Sequence, residues 1–207
     1  TFAMVKVLKG GEVVKLLDNQ EFNTYQLEEG ESYDFGEFKN AKIFNETSEP
    51  IAPMMKRVRE IILRITSKSE GSMVVFLTAR SDFNDKDLFL NTFRRYGIDM
   101  DSDRVYVERS GNDQEDISVA EKKRKVVLKY LSEGVYRRAR LIDDNEENLV
   151  EFLAIAKDLP QDILNKVKAK HGLENQIPIA FKAYQVNHKG EMLDYAIKTD
   201  SDQNTQP

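Results

Sequence analysis

The sequence contains 207 residues, of which 40% are hydrophobic and 32% charged, so a core of ordinary domain size is expected and a disordered chain is excluded. Lys and Arg number 31 against 36 Asp and Glu, and the net charge of −5 argues against broad binding to nucleic-acid phosphates. No Cys and two His exclude disulfides and thiolate sites, so any metal is expected to have oxygen ligands. No apolar run could span a membrane and no signal pattern is found, which predicts a cytoplasmic protein without membrane contact.

The first 44 residues predict a hairpin followed by a connection. β-Branched residues flank Gly10 and Gly11, which supply the positive φ angles of a tight turn, so residues 3–17 are predicted as a β-hairpin. From Asp18 to Phe44 the aromatic residues show no sustained period. We therefore predict an irregular connection there, with one short strand.

From residue 53 onward, predicted helices and strands alternate. The predicted helices cover residues 53–70, 86–96, 119–131, 145–157 and 161–170, and the predicted strands cover residues 73–77, 104–107, 140–142 and 179–186. Alternation of this kind is typical of parallel strands joined by right-handed crossovers. The predicted fold class is therefore α/β, a Rossmann-like three-layer sandwich with a mostly parallel sheet and an N-terminal β-hairpin flap.

The predicted organisation is a single domain over residues 1–190. Residues 1–45 would form the hairpin flap or small lid, and residues 46–190 would form the α/β core. The polar stretch 191–207 is predicted to be a partly disordered C-terminal extension.

Polar side chains follow two of the predicted strands, where ligands bind in an open parallel sheet. The first strand is followed by Thr78, Ala79 and Arg80, which offer a hydroxyl and backbone N–H groups to an anion. The alternative for Thr78 is a strand-end hydroxyl satisfied by the backbone. A later strand ends in Asp143 and Asp144, for which the alternative is a capping box between Asp144 and the Glu three residues on.

A basic run, Lys122 to Lys125, opens the helix between these two strands. The simplest interpretation is a solvated basic face, but cations are unfavourable near a helix N-terminus, which favours an anionic partner for one of them. Lys123 is the preferred candidate because Val127 and Leu131 follow it on the predicted buried face. Lys122 stays open as the alternative.

A strand ending in Thr, a Lys at a helix start and a strand ending in Asp-Asp, in this order, resemble the haloacid dehalogenase superfamily of phosphatases and phosphotransferases. Residues 74–80 are similar to its second motif, Lys123 to its third, and residues 141–148 to its fourth, with Asn148 where many members have another Asp. The resemblance covers about residues 53–157 and implies a Mg²⁺-dependent phosphomonoester hydrolase.

The resemblance also implies roles for individual residues. Asp143 and Asp144 would hold Mg²⁺. Thr78, Ala79 and Arg80 would bind the transferring phosphoryl oxygens, and Lys123 would neutralise nucleophile and phosphate, so Thr78 and Lys123 are the implied catalytic residues. All of them are expected to converge at the carboxyl edge of the sheet.

The family's first motif, a strand followed by Asp-x-Asp-x-Thr, supplies the nucleophile and the general acid and base, and no credible copy is found. Asp-x-Asp strings occur at residues 85–87, at a helix start, at 99–103, before a strand, and at 200–204, in the polar end. A hairpin flap commonly follows this motif directly, so we expect the sequence to begin after it and to be inactive alone. The missing strand would lie between those ending at Leu77 and Ile142, which are therefore expected not to pair.

The alternatives are a non-catalytic binding or scaffold protein with this fold and a polynucleotide phosphatase. A small lid favours an extended or macromolecular phosphorylated substrate of unknown identity. A nucleic-acid end is one such substrate, although the net charge does not support it.

Overall fold

The computed structural model describes residues 5–17, 19–67, 71–173 and 178–197, so the polar end predicted for 199–207 lies outside the described residues. The chain is mixed α/β, and it divides into two compact units, residues 1–66 with 73–112 and residues 67–72 with 113–207. The strands are β1 (Val5–Lys9), β2 (Glu12–Leu17), β3 (Glu31–Asp34), β4 (Val74–Thr78), β5 (Val105–Arg109), β6 (Arg138–Asp143), β7 (Ala180–Val186) and β8 (Met192–Tyr195). The helices are α1 (Asn19–Thr24), α2 (Ala41–Thr47), α3 (Ala52–Thr66), α4 (Lys86–Arg95), α5 (Val119–Leu131), α6 (Glu146–Asp158) and α7 (Gln161–His171).

The N-terminal part of the first unit is an antiparallel sheet in the order β2-β1-β3. Gly10 and Gly11 have φ angles of 61° and 89°, which confirms the predicted hairpin turn. Residues 18–44 were predicted as an irregular connection, and this is wrong because α1 and the start of α2 form there besides the expected strand. The side chain of Asn40 caps α2 by accepting a hydrogen bond from the Ile43 N–H.

The remainder of the first unit is built on a parallel pair, β4 with β5, in which Thr78 lies opposite Arg109. Helix α3 contributes Ile62 to the apolar cluster under this pair, where Ile98 and Val105 are also buried. A second cluster joins α2 and α4 through Ala41, Phe44 and Phe89. The predicted alternation of helix and strand is confirmed for this segment.

The second unit contains the parallel pair β6 and β7, with β8 antiparallel to β7. Its core is formed by buried residues of α5, α6, α7 and β7 and by the residue that precedes β7, namely Leu131, Leu149, Phe152, Ile155, Ile163, Val167, Ala183 and Ile179. Strand β7 was predicted to be the last strand, and this is wrong because Met192–Tyr195 form β8. The assignment of residues 191–207 to a C-terminal extension stays a prediction.

Strands β4 and β6 belong to different sheets, and among the described strands no ladder joins them. The pairing that would have contradicted the family resemblance is therefore not observed. In the described part of the chain, no helix combines the length and the apolar character needed to cross a membrane.

Candidate functional site

Asp143, the last residue of β6, has a buried carboxylate that accepts three hydrogen bonds. Its residue is 8% exposed, and its Oδ2 accepts a hydrogen bond from Lys123 Nζ at 2.7 Å. Oδ1 accepts from the Asn145 N–H at 3.0 Å and from Asn148 Nδ2 at 2.9 Å. A charge this buried needs such partners, because an unpaired carboxylate would lose its hydration without compensation.

Lys123 reaches Asp143 because of its position on α5. Ser118 and Glu121 form a reciprocal capping box that fixes the start of this helix. Val127 and Leu131, one and two turns after Lys123, pack in the core of the unit, and the Lys123 side chain is only 12% exposed. The spacing argument that favoured Lys123 thus selects the lysine that meets the strand-end aspartate.

The other cations of the basic run have different partners. Lys122 donates to the carbonyl oxygen of Asp113 at 2.8 Å, and Lys125 pairs with the carboxylates of Asp113 and Glu115. Arg124 bridges Glu151 and Asp158, each at 3.2 Å. Lys123, Arg124 and Lys125 therefore pair with carboxylates, whereas Lys122 bonds to a backbone carbonyl. The interpretation of this run as a merely solvated basic face is excluded.

Asp144 is exposed, and it does not cap the following helix. Asn145 is the cap of α6, since its side chain accepts from the N–H groups of Glu147 and Asn148. The capping-box alternative for Asp144 is therefore wrong. Its carboxylate lies beside the buried pair in sequence and faces solvent.

In the first unit, Thr78 ends β4 and begins a tight loop. Its Oγ1 accepts a hydrogen bond from the Arg80 N–H at 3.2 Å, which is the backbone-satisfied arrangement that the alternative interpretation predicts. This N–H is therefore engaged within the loop, contrary to the expectation that it is free for an anion. The Thr78 hydroxyl can still donate its proton, since a hydroxyl is donor and acceptor together.

The guanidinium of Arg80 lies over three aromatic rings. Its central carbon is 4.5 Å from the ring centroid of Phe38, 5.1 Å from that of Phe44 and 5.8 Å from that of Phe83. Burial lowers the pKa of Arg80 to about 10, so the side chain keeps its positive charge at neutral pH. The ring faces offset part of the lost hydration. This aromatic support could not be predicted from local sequence, because its three rings come from separate segments of the chain.

The loop after β4 is also held by the residues that end β5, which sequence analysis did not single out. Ser110 Oγ donates to the Thr78 carbonyl oxygen at 3.1 Å, and the Gly111 N–H donates to the Arg80 carbonyl oxygen at 3.2 Å. The Asp82 N–H donates to Asn112 Oδ1 at 2.9 Å. A Ser-Gly-Asn string after a strand is the signal that could have indicated this role.

The rejected Asp-x-Asp strings have structural roles where they are described. Asp85 caps α4 by accepting from the Leu88 N–H, and Asp101 pairs with Arg94 at 2.7 Å. Within the described residues, no group of three or more His, Asp or Glu side chains is arranged to hold a metal ion. Asp143 and Asp144 are two hard oxygen donors, a set that suits Mg²⁺ when water and substrate complete its shell.

Protein-family models, curated proteins and solved structures were all compared with this chain, and none of them matches it. The family resemblance therefore rests on the motifs. Lys123 and Asp143 are in contact within one unit, and Thr78 to Arg80 form one loop within the other. Convergence of all these residues on one phosphoryl group stays a prediction.

Proposed function

We propose that the chain carries the phosphoryl-binding and metal-binding part of a Mg²⁺-dependent phosphomonoester hydrolase of the haloacid dehalogenase type, with a Rossmann-like three-layer core. The observation that carries this proposal is the 2.7 Å pair between Lys123 and Asp143 at the carboxyl end of a parallel strand. The lysine chosen from its spacing and the aspartate chosen from its strand end were selected independently. Their contact supports the assignment of the third and fourth motifs.

In the proposed site, Asp143 and Asp144 hold Mg²⁺. A carboxylate offers about four lone-pair positions, and Asp143 uses three of them for Lys123, Asn145 and Asn148. Asp144 is exposed, so its oxygens are accessible to a hydrated ion. Mg²⁺ commonly binds proteins through one or two carboxylates and keeps several waters. When bound, it would offset the charge of the phosphate and the attacking group.

Thr78, Ala79 and Arg80 bind the phosphoryl oxygens in this proposal. The Thr78 hydroxyl can donate a hydrogen bond, and the Arg80 guanidinium contributes a fixed positive charge close by in sequence. In the second unit, Lys123 supplies a positive charge that Asp143 holds in place. Positioned cations of this kind stabilise the charge of phosphoryl transfer more than mobile ones do, because they need no reorganisation during the reaction.

The reaction needs an aspartate nucleophile, which the 207 residues do not supply in its motif. Its carboxylate oxygen would form a bond to phosphorus while the bond to the leaving alcohol breaks and a second aspartate protonates that alcohol. Because these residues contain no credible Asp-x-Asp-x-Thr motif, we expect the chain alone to bind phosphate and not to hydrolyse its esters. The proposed substrate is an extended or macromolecular phosphomonoester in the cytoplasm.

Calorimetry of Mg²⁺ binding in the presence of inorganic phosphate tests this assignment. We expect Asp144→Asn to weaken Mg²⁺ binding by about tenfold or more, since even outer-shell changes at metal sites have effects of this size. Asp116→Asn, which neutralises another exposed carboxylate of the same unit, is the matched control and should bind Mg²⁺ as the unchanged chain does.

Equal Mg²⁺ affinities for Asp144→Asn and Asp116→Asn would mean that general surface charge, and not a site at Asp144, attracts the ion. That result would overturn the metal assignment and favour a non-catalytic binding protein.

A further inference from the structure

Four contacts join the loop Thr78–Asp82 to the segment Arg109–Asn112, and both lie in the first unit. Three are the hydrogen bonds made by Ser110, Gly111 and Asn112 to the loop. The fourth is an ion pair between Arg109 and Asp82. They are spread over the entire loop, from the carbonyl of Thr78 at its start to the carboxylate of Asp82 at its end.

We propose that the segment Arg109–Asn112 is a positioning clamp that fixes the shape of the loop Thr78–Asp82 and thereby sets its affinity for a phosphoryl group. This inference rests on the proposed function for the choice of ligand. The clamp residues would act through the loop backbone, so they are positioning residues and not catalytic ones. A loop that presents the Thr78 hydroxyl and the Arg80 guanidinium to an anion needs such support, because small displacements of the donors cost much of the binding energy.

Gly111 is the central residue of the clamp because the loop backbone passes directly over its Cα. A methyl group at this position would lie against the Ala79 carbonyl oxygen, 2.6 Å from the Arg80 carbonyl carbon and 2.7 Å from the Ser81 nitrogen. The φ of Gly111 is not positive, so other residues could adopt its backbone conformation. Glycine is therefore required here because the loop backbone leaves no room for a Cβ, and not because of its own φ angle.

Asp82 anchors the far end of the loop through two partners. Its N–H donates to Asn112 Oδ1, and its carboxylate pairs with Arg109. The hydrogen bond with the Asn112 side chain and the positive charge of Arg109 lower the pKa of Asp82, although partial desolvation acts in the opposite direction. At neutral pH Asp82 is therefore ionised and the ion pair is present.

The test is a titration of the isotope-labelled full chain with inorganic phosphate in the presence of Mg²⁺, followed by nuclear magnetic resonance of the amides of residues 79–82. We expect Gly111→Ala to weaken phosphate binding by about tenfold or more, because the loop must move to admit the methyl group. Gly71→Ala is the matched control, since a Cβ at Gly71 meets nothing within 4 Å. Asn112→Ala, at an exposed position, removes one anchor without overpacking and should weaken binding in the same direction.

Binding is measured at a temperature at which circular dichroism shows every variant fully folded, so that a loss of stability alone cannot produce the effect. Weaker phosphate binding by both clamp variants, with Gly71→Ala unchanged, supports the clamp. Unchanged phosphate affinity in both clamp variants overturns it and leaves the proposed function standing. If phosphate shifts none of these amides in the unchanged chain, the proposed function fails, and the clamp has no phosphoryl group to position.

Discussion

At the scale of single residues, the proposed site depends on how the protein compensates the buried negative charge of Asp143. Asp143 combines a lysine ammonium, a backbone N–H and an amide group around its two oxygens. Such a pair contributes little to stability compared with an apolar pair of similar size, yet removal of one partner is costly. Removal of Lys123 alone is therefore expected to be costly, because the Asp143 carboxylate would stay buried without its counter-charge.

Replacement of Lys123 by Met should destabilise the protein by ~3 kcal/mol, because it leaves the Asp143 carboxylate buried without its counter-charge. The measurement is urea unfolding followed by circular dichroism at neutral pH. The matched control is Lys125→Met, which removes a lysine of the same helix that pairs with Asp113 and Glu115 and whose side chain is 43% exposed, and its effect should be much smaller. Equal effects of the two variants would contradict the burial argument.

Much of the candidate site could be predicted at this scale, because its residue types follow strand ends in a fixed order. Lys123 was separable from Lys122 since the apolar period of α5 continues from Lys123 alone. The cap of α6 was not predictable in the same way, since Asp144 and Asn145 are both good capping residues. The roles of Arg80 and Gly111 depend on contacts with Phe38 and with the end of β5, which local sequence does not contain.

At the scale of elements, long periodic segments were predicted well and short ones were not. Helix α5 has the predicted bounds, because a capping residue precedes it and Gly134 follows its apolar period. Helix α2 and strand β8 are 7 and 4 residues long, too short for a period to show, and their stability comes from packing. Helix α2 packs on α4 through Phe44, and β8 pairs with β7.

Strand β8 is attached to the start of α6 by a hydrogen bond of 2.7 Å from the Tyr195 hydroxyl to Glu146 Oε1. This hydrogen bond raises the pKa of Tyr195 to about 12. Because the folded state holds the phenolic proton more tightly than the unfolded state does, the stability from this bond is complete below about pH 10 and is lost as pH rises through about 12.

The Glu146→Gln variant should therefore lower the pKa of Tyr195 towards its ordinary value. Nuclear magnetic resonance titration of ring-labelled tyrosine measures this, with Tyr195→Phe used to assign the signal. Glu147→Gln, one residue further along α6, is the control and should leave the titration unchanged. A Tyr195 pKa that stays near 12 in Glu146→Gln would show that the carboxylate of Glu146 is not the cause.

At the scale of the whole molecule, the α/β class followed from the alternation of elements, whereas the division into three sheets did not. The sequence pattern specifies which segments are strands, but the partners of each strand depend on contacts far apart in the chain. Strands β4 and β6 each pair with a single described strand, β5 and β7 respectively.

The most direct measurement is the Mg²⁺-dependent hydrolysis of p-nitrophenyl phosphate by two chains, the 207 residues as printed and the same chain extended by an apolar strand that ends in Asp-x-Asp-x-Thr. We predict that the printed chain is no faster than its own Asp144→Ala variant, because binding groups without the nucleophile cannot form the phosphoenzyme. The extended chain should gain activity, and Asp144→Ala should then abolish it. Robust Mg²⁺-dependent turnover by the printed chain, or an extended chain that stays inactive on a broad panel of phosphomonoesters, would contradict the account.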